Sequence, residues 1–274
     1  MNFSESHASV KHLVEEVQAD RQVLTLMRDT CAEHTGGIMQ SHLARVGSVA
    51  AIGGALLMMI TTYLHPLGAD PNDAEAAFAE YAADSMWVAS HLGQFVAMAV
   101  LSVALVALAT TLDGGRAAAW ARIGVLGVSA SVAVAAAMQA VDGVALRFVV
   151  DRWAQASGEA RALAFEAAFA VRQVEIGFAS LLSLVFGLTV SVFGIALLLS
   201  PRFASWTGWL ALVSGGGTVA AGIAQAYTGF SPLAMSMSMP AGLLLLIWAV
   251  VIGIRLWRLA PELRRLEGAT SSVP

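Results

Sequence analysis

The sequence predicts an all-α polytopic membrane protein, a bundle of six transmembrane helices with an amphipathic cytoplasmic helix in front of it. Two observations carry that expectation. Six separate apolar stretches, 45–65, 86–111, 120–146, 171–200, 206–227 and 233–257, each supply the roughly 20 helical residues that a hydrocarbon core of about 30 Å requires. The chain is also 58% apolar and only 12% charged, with a mean hydropathy of +0.73, whereas charged residues make up about a quarter of an ordinary globular chain. The organisation that follows is 1–44 as cytoplasmic helix and linker, 45–258 as the bundle and 259–274 as a cytoplasmic tail.

In residues 1–44, Val10, Leu13, Val14, Val17, Leu24 and Met27 recur at helical spacing, and Gly36-Gly37 is a stop signal. The polar face mixes Lys11, Arg21 and Arg28 with Glu15, Glu16, Asp20 and Asp29. That balance lacks the basic excess of a membrane-surface helix and favours packing on the bundle or on a second copy. The first apolar run begins only at Val46, so no short cleavable leader is expected and the spans themselves direct insertion.

Orientation follows from arginine placement. Arg28, Arg45, Arg116, Arg122, Arg202, Arg255, Arg258, Arg264 and Arg265 fall on one side of the spans, against Arg147, Arg152, Arg161 and Arg172 on the other. The positive-inside rule then places both termini in the cytoplasm of a cell inner (plasma) membrane protein. The acidic segment 66–85 has no Lys or Arg and becomes external. Trp87 and Trp153 are expected at the outer interface, and Trp120, Trp206, Trp209 and Trp257 at the inner one.

Between the spans, the turn signal Asp70-Pro71-Asn72-Asp73 precedes an Ala-rich run that predicts one short helix, and the proline-free, Ala-rich segment 151–170 can extend the fourth span outward. Internal loops are short, as antiparallel neighbours require. Gly187, Ser191 and Gly194 share a face of the fourth span, while Gly215, Gly216, Gly217 and Gly222 thin the fifth. Small residues of this kind let helix backbones approach closely where lipid supplies no hydrophobic drive.

The run Tyr63-Leu64-His65-Pro66-Leu67-Gly68-Ala69-Asp70-Pro71-Asn72-Asp73, the later Trp87-Val88-Ala89-Ser90-His91-Leu92-Gly93-Gln94 and the opening Trp206-Thr207-Gly208-Trp209 together resemble six-span actinobacterial integral membrane proteins grouped as families of unknown function. The resemblance covers about 45–258. It implies the six-helix fold and no activity, cofactor or catalytic residue.

Polar side chains segregate to the outer part of the bundle. His65, His91, Gln94, Gln139, Asp142, Arg172, Glu175 and Gln225 form the candidate ligand-binding set, with Arg147, Gln173 and Tyr227 at the same level. Intramembrane ionisable groups are functional candidates by default. The opposing interpretation is interfacial solvation, with Arg172 and Glu175 simply pairing three residues apart. His65 and His91 can meet, but no dense histidine motif supports a metal or a haem, so neither metal nor cofactor is expected. Met235, Met237 and Met239 are better explained by packing than by Cu(I). Cys31 is the sole cysteine and, with His34, a weak metal pair; it can form no intrachain disulfide.

No nucleophile, Walker or dinucleotide motif is present, so enzyme action has no support. A net charge of -4 without a basic stripe gives no case for nucleic acid. The expected partners are the lipid bilayer and a second copy or another membrane protein. Two functional classes remain: a binding or accessory module with an outward-facing polar pocket, and the alternative of a small-molecule permease with an outer vestibule. The apolar midplane favours the first, because alternating-access sites sit near the midplane on broken helices.

Overall fold

The computed structural model describes residues 40–66, 68–112 and 114–270, with side chains to residue 265. The chain forms two units, one of 44–257 and one of 1–43 together with 258–274. In the second unit the described residues are the first of the opening helix and the final turns of the last one. The amphipathic stripe expected over residues 10–27 lies outside the described residues, as does the Cys31 and His34 pair.

Seven helices make up the described chain: α1 Gln40–Tyr63, α2 Ala74–Ala83, α3 Trp87–Thr111, α4 Gly115–Gln155, α5 Gly158–Leu198, α6 Ser205–Thr228 and α7 Pro232–Thr270. All but α2 are long and apolar enough to cross a membrane. The six expected spans are thus all helical, and the short helix expected between the first two is α2. Asp73 caps α2, its carboxylate accepting from the Ala76 N–H at 3.1 Å. That bond satisfies one of the donors a helix start leaves open.

At 41 residues each, α4 and α5 are longer than the expected spans. At 1.5 Å per residue each measures about 60 Å, twice the hydrocarbon thickness. Only Ala156 and Ser157 separate them, and Gly158, at φ +57°, takes the left-handed conformation that the sharp reversal needs. The segment expected as a loop over 151–170 is therefore almost wholly helical, a hairpin standing proud of the spans. Against it packs the buried face of α2, in an apolar core of Ala77, Phe78, Tyr81, Trp87, Leu146, Val150, Trp153, Ala164 and Ala168. We call this the cap.

The cap corrects the tryptophan expectation. Trp87 and Trp153 are 1% and 3% exposed, so these indoles fill protein core and do not sit at an interface with lipid. Trp206, Trp209 and Trp257, at the opposite end, are exposed as an interfacial belt requires.

Within the spans, α5 and α6 pack through small residues. A Cβ on Gly187 would lie 2.7 Å from the Gly215 carbonyl oxygen, and one on Gly194 2.9 Å from that of Gly208. Only glycine permits that approach, so these positions serve cohesion. Hydroxyls at middle depth are satisfied locally: Ser102 donates to Met98, Thr189 to Val185 and Ser214 to Ala211, each to a backbone carbonyl of its own helix. Others cross between helices: Ser180 Oγ donates to the Gly222 carbonyl at 2.9 Å, Ser131 Oγ lies 3.4 Å from Thr189 Oγ1, and the Trp248 indole N–H donates to the Thr207 carbonyl at 3.1 Å.

Candidate functional site

Just beneath the cap, α3 and α4 bring His91, Gln94, Gln139 and Asp142 together, and α5 carries Arg172 and Glu175. α3 enters with Trp87 and His91 one turn apart on one buried face. α4 meets it through a seven-residue π-helical stretch, Ala140–Leu146, that carries Asp142. Such wide turns inside α-helices occur mostly at functional positions. Gly143, within the stretch, allows the approach: a Cβ there would lie 2.5 Å from His91 Cβ.

His91 Nε2 is 3.1 Å from Asp142 Oδ2, with both side chains buried. The other ring nitrogen, Nδ1, lies 2.6 Å from the Trp87 carbonyl oxygen. A ring nitrogen facing a carbonyl must carry a proton, since both cannot accept. Trp87 returns to α4, its indole N–H donating to the Asp142 carbonyl at 3.1 Å. The His65 ring stands 4.9 Å from that of His91 and 5.2 Å from that of Trp87, so the two histidines expected to meet do so. Burial holds the His65 imidazole below its ordinary 6.5, and the neighbouring His91 adds to the lowering.

A second ion pair lies on α5. Arg172 Nη1 donates to both Glu175 oxygens, at 3.2 and 2.9 Å, and Nη2 donates to the Pro71 carbonyl at 3.1 Å. The guanidinium also lies 5.3 Å from the Tyr81 ring and 4.7 Å from the Phe230 ring. Both terminal nitrogens are thus hydrogen-bonded and two aromatic rings lie near the guanidinium, which makes Arg172 a clamp tying the loop before α2 and the turn before α7 onto α5. Burial pushes the Tyr81 phenol up to about 12, against the opposing pull of Arg172, so the phenol keeps its proton. Intrahelical pairing of Arg172 with Glu175 is as expected, but both are buried, at 4% and 2% exposure, so interfacial solvation does not describe them.

The amides complete the set. Gln139 Nε2 donates to Gln94 Oε1 at 3.3 Å, linking α4 to α3. Gln225 sits one turn beyond Gly222, at the level of α5 just below Glu175. Gln139 Oε1, Asp142 Oδ1 and Gln225 Nε2 are buried without a hydrogen-bond partner among the described residues. Buried polar atoms are nearly always satisfied, and each unpaired one costs about 1–3 kcal/mol.

Three residues at this level do not join the cluster. Tyr227 is 87% exposed and Gln173 is exposed, since each lies on the face of its helix turned away from the bundle. Arg147 pairs with Asp151 at 2.9 Å and donates to the carbonyls of Tyr81, Ala82 and Asp84, closing the C-terminus of α2. Conversely, Trp87, Tyr81 and Phe230 contribute to the site without having been among its candidate residues. The available signal was the placement of Phe78 and Tyr81 three apart on α2, which marks its buried face.

Among the described residues, no group of three or more His, Cys, Asp or Glu side chains is arranged to hold a metal ion. No protein-family model, curated protein or solved structure matches the chain.

Proposed function

We propose that this is a membrane-embedded binding protein whose site is the polar cluster beneath the cap. One observation carries the reading: in a bundle that buries two ion pairs, Gln139 Oε1, Asp142 Oδ1 and Gln225 Nε2 are buried with no partner among the described residues. A bundle that needed these groups only for cohesion would pair them or replace them with apolar side chains, which pack at lower cost. Unpaired groups of both kinds, acceptor and donor, are what a site for a hydrogen-bonding ligand presents. With both termini cytoplasmic, as the arginine asymmetry implies, the cluster and cap belong to the outer side of the plasma membrane. An accessory role, in which the cap engages a second membrane protein, is compatible with the same site.

The permease alternative has the π stretch at Asp142 in its favour, as an irregular helix beside a buried carboxylate. Against it, the half of the bundle away from the cap is filled by Leu105, Leu108, Phe193, Trp248, Ile252 and Leu256, all buried. That packing is apolar and gives a polar solute no partner along these side chains.

The test is Gln225→Leu, purified through exhaustive detergent exchange. If the amide serves a ligand, the variant unfolds at the same temperature as the parent or higher, because an unsatisfied group has been removed. A loss beyond about 1 kcal/mol would mean the amide is bonded inside the bundle, and the binding reading would fall.

A further inference from the structure

We propose a second binding site, separate from the polar cluster: a groove between α1 and α3, toward the end of the bundle away from the cap, that holds one acyl chain of an anionic phospholipid whose phosphate pairs with Arg45. It stands whether or not the cluster binds a ligand.

The groove follows from how α1 and α3 meet. Gly47 of α1 faces Ala107 of α3 and Gly54 faces Leu101, so the two helices run antiparallel with their backbones close. Beside that seam, Val46, Val49, Ala50 and Gly53 on α1 and Val100 and Val103 on α3 line an open groove of about 590 Å³, with Arg45 at its end. Gly53 keeps it open, since a Cβ there would meet nothing within 4 Å. Val46, Val49 and Val103 are exposed. On a transmembrane bundle such flanks face hydrocarbon, so the groove is reached directly from the bilayer.

Shape favours a single acyl chain. From Arg45 to Gly53 the groove follows eight residues of α1, about 12 Å at 1.5 Å per residue, against about 15 Å for one leaflet of hydrocarbon. Four of its lining residues are valines, whose side chains are stiff at χ1. The wall is thus shaped before a chain arrives, and little side-chain freedom is lost on binding. The larger cleft among α1, α3, α5, α6 and α7 differs in both respects. Flexible Met58, Met59, Met98 and Met239 line it and no charged side chain does, so it selects no head group.

Charge identifies the head. Arg45 is the only polar side chain lining the groove. Its guanidinium lies 5.9 Å from the Trp257 ring, and Trp257 is exposed, as an indole at head-group level is. That contact holds the cation at the depth of the phosphates. Among the described residues Arg45 forms no ion pair, and no Asp or Glu lines the groove. Its N–H groups therefore remain for a phosphate, which a guanidinium matches with paired donors. A zwitterionic head would bring an ammonium group next to the arginine with no carboxylate in the groove to receive it. A head of net negative charge brings none, so the anionic lipid is the one that fits.

The experiment uses the full chain in phosphatidylcholine nanodiscs doped with a phosphatidylglycerol that carries a diazirine in one acyl chain, the crosslinks being mapped by mass spectrometry. We expect crosslinks concentrated on residues 45–53 and 100–103, with a phosphatidylcholine probe of the same chains labelling them about fivefold less. Arg45→Gln lowers the phosphatidylglycerol labelling there about fivefold, the factor one arginine contributes toward anionic lipid, while Arg45→Lys keeps most of it. Gly53→Leu fills the groove and lowers the labelling at least as far. Gly216→Leu, where a Cβ also meets nothing within 4 Å but which does not line the groove, leaves it unchanged.

Even labelling of all lipid-facing segments, equal labelling by the two probes, or labelling indifferent to Arg45→Gln or to Gly53→Leu would each overturn the proposal. So would efficient disulfide dimers of Val49→Cys in a Cys31→Ser chain, which would show a second copy seated in the groove.

Discussion

His91 on α3 and Asp142 on the π stretch of α4 form a buried pair, Nε2 to Oδ2 at 3.1 Å, that joins two helices whose contact lies 51 residues apart in the chain. Removing one member of such a pair strands the other, at a cost of about 3–5 kcal/mol. His91→Ala and Asp142→Ala are therefore each expected to lower stability in detergent by that order. The apolar double variant His91→Phe with Asp142→Leu should recover a large part of the loss. Unfolding curves of the three variants check this, and losses that simply add would show the two side chains to be independent.

The same contact makes Gly143 a position where a methyl group matters. Gly143→Ala drives a Cβ against the His91 side chain and is expected to cost about 1–3 kcal/mol through overpacking. Gly177→Ala on α5 meets nothing within 4 Å. It should be neutral or stabilising by up to about 1 kcal/mol, since alanine is the better helix former. Equal effects at both positions would mean that α4 and α3 are not in the contact described.

Glu175→Ala leaves the Arg172 guanidinium buried against aromatic rings without its carboxylate, and is expected to cost about 3–5 kcal/mol. The exposed side of α5 offers the comparison: Glu166→Ala should change stability by less than about 0.5 kcal/mol. Glu80 falls between them. Its carboxylate accepts from the Gly68 and Ala69 N–H groups at 2.8 and 2.9 Å, so Glu80→Ala should cost about 1–2 kcal/mol. Thermal unfolding of the three variants should rank them Glu175, Glu80, Glu166.

His65 gives the cap end a pH dependence of known sign. With its folded pKa held below the ordinary 6.5, the unfolded chain takes up the proton first as pH falls. Stability from this residue is complete above about pH 6.5 and declines below it, down to the lowered value. The groups acting on it are His91, Asp142 and Arg172. His65→Gln should flatten the melting temperature between pH 7.5 and 5 relative to the parent. An unchanged profile would remove His65 as the source.

The topology has a direct check. Reporters fused after Arg265 are expected to be active in the cytoplasm, and reporters inserted within 74–83 on the outer side. The reverse pattern would place the cluster and its cap on the cytoplasmic side and leave their internal geometry untouched.

What the sequence determined by itself is the set of spans. Hydropathy over some 20 residues is a local, additive property, and in a bilayer a helix is the only open-chain way to satisfy every backbone group. The placement of His65, His91, Gln139, Asp142, Arg172, Glu175 and Gln225 at one end of the bundle was legible for the same reason, since counting residues from a span boundary gives depth. Rotation about each helix axis was not legible. Only packing decided that Gln173 and Tyr227 turn away while Gln225 turns in, because hydropathy varies too little around these nearly uniform helices to favour one face. The cap was likewise beyond a local reading: α2 joins the α4 and α5 hairpin through contacts such as that of Phe78 with Trp153, residues far apart in the chain. The pairing of Asp142 with His91 depends on a π stretch and a glycine whose meaning appears only when α3 lies against them.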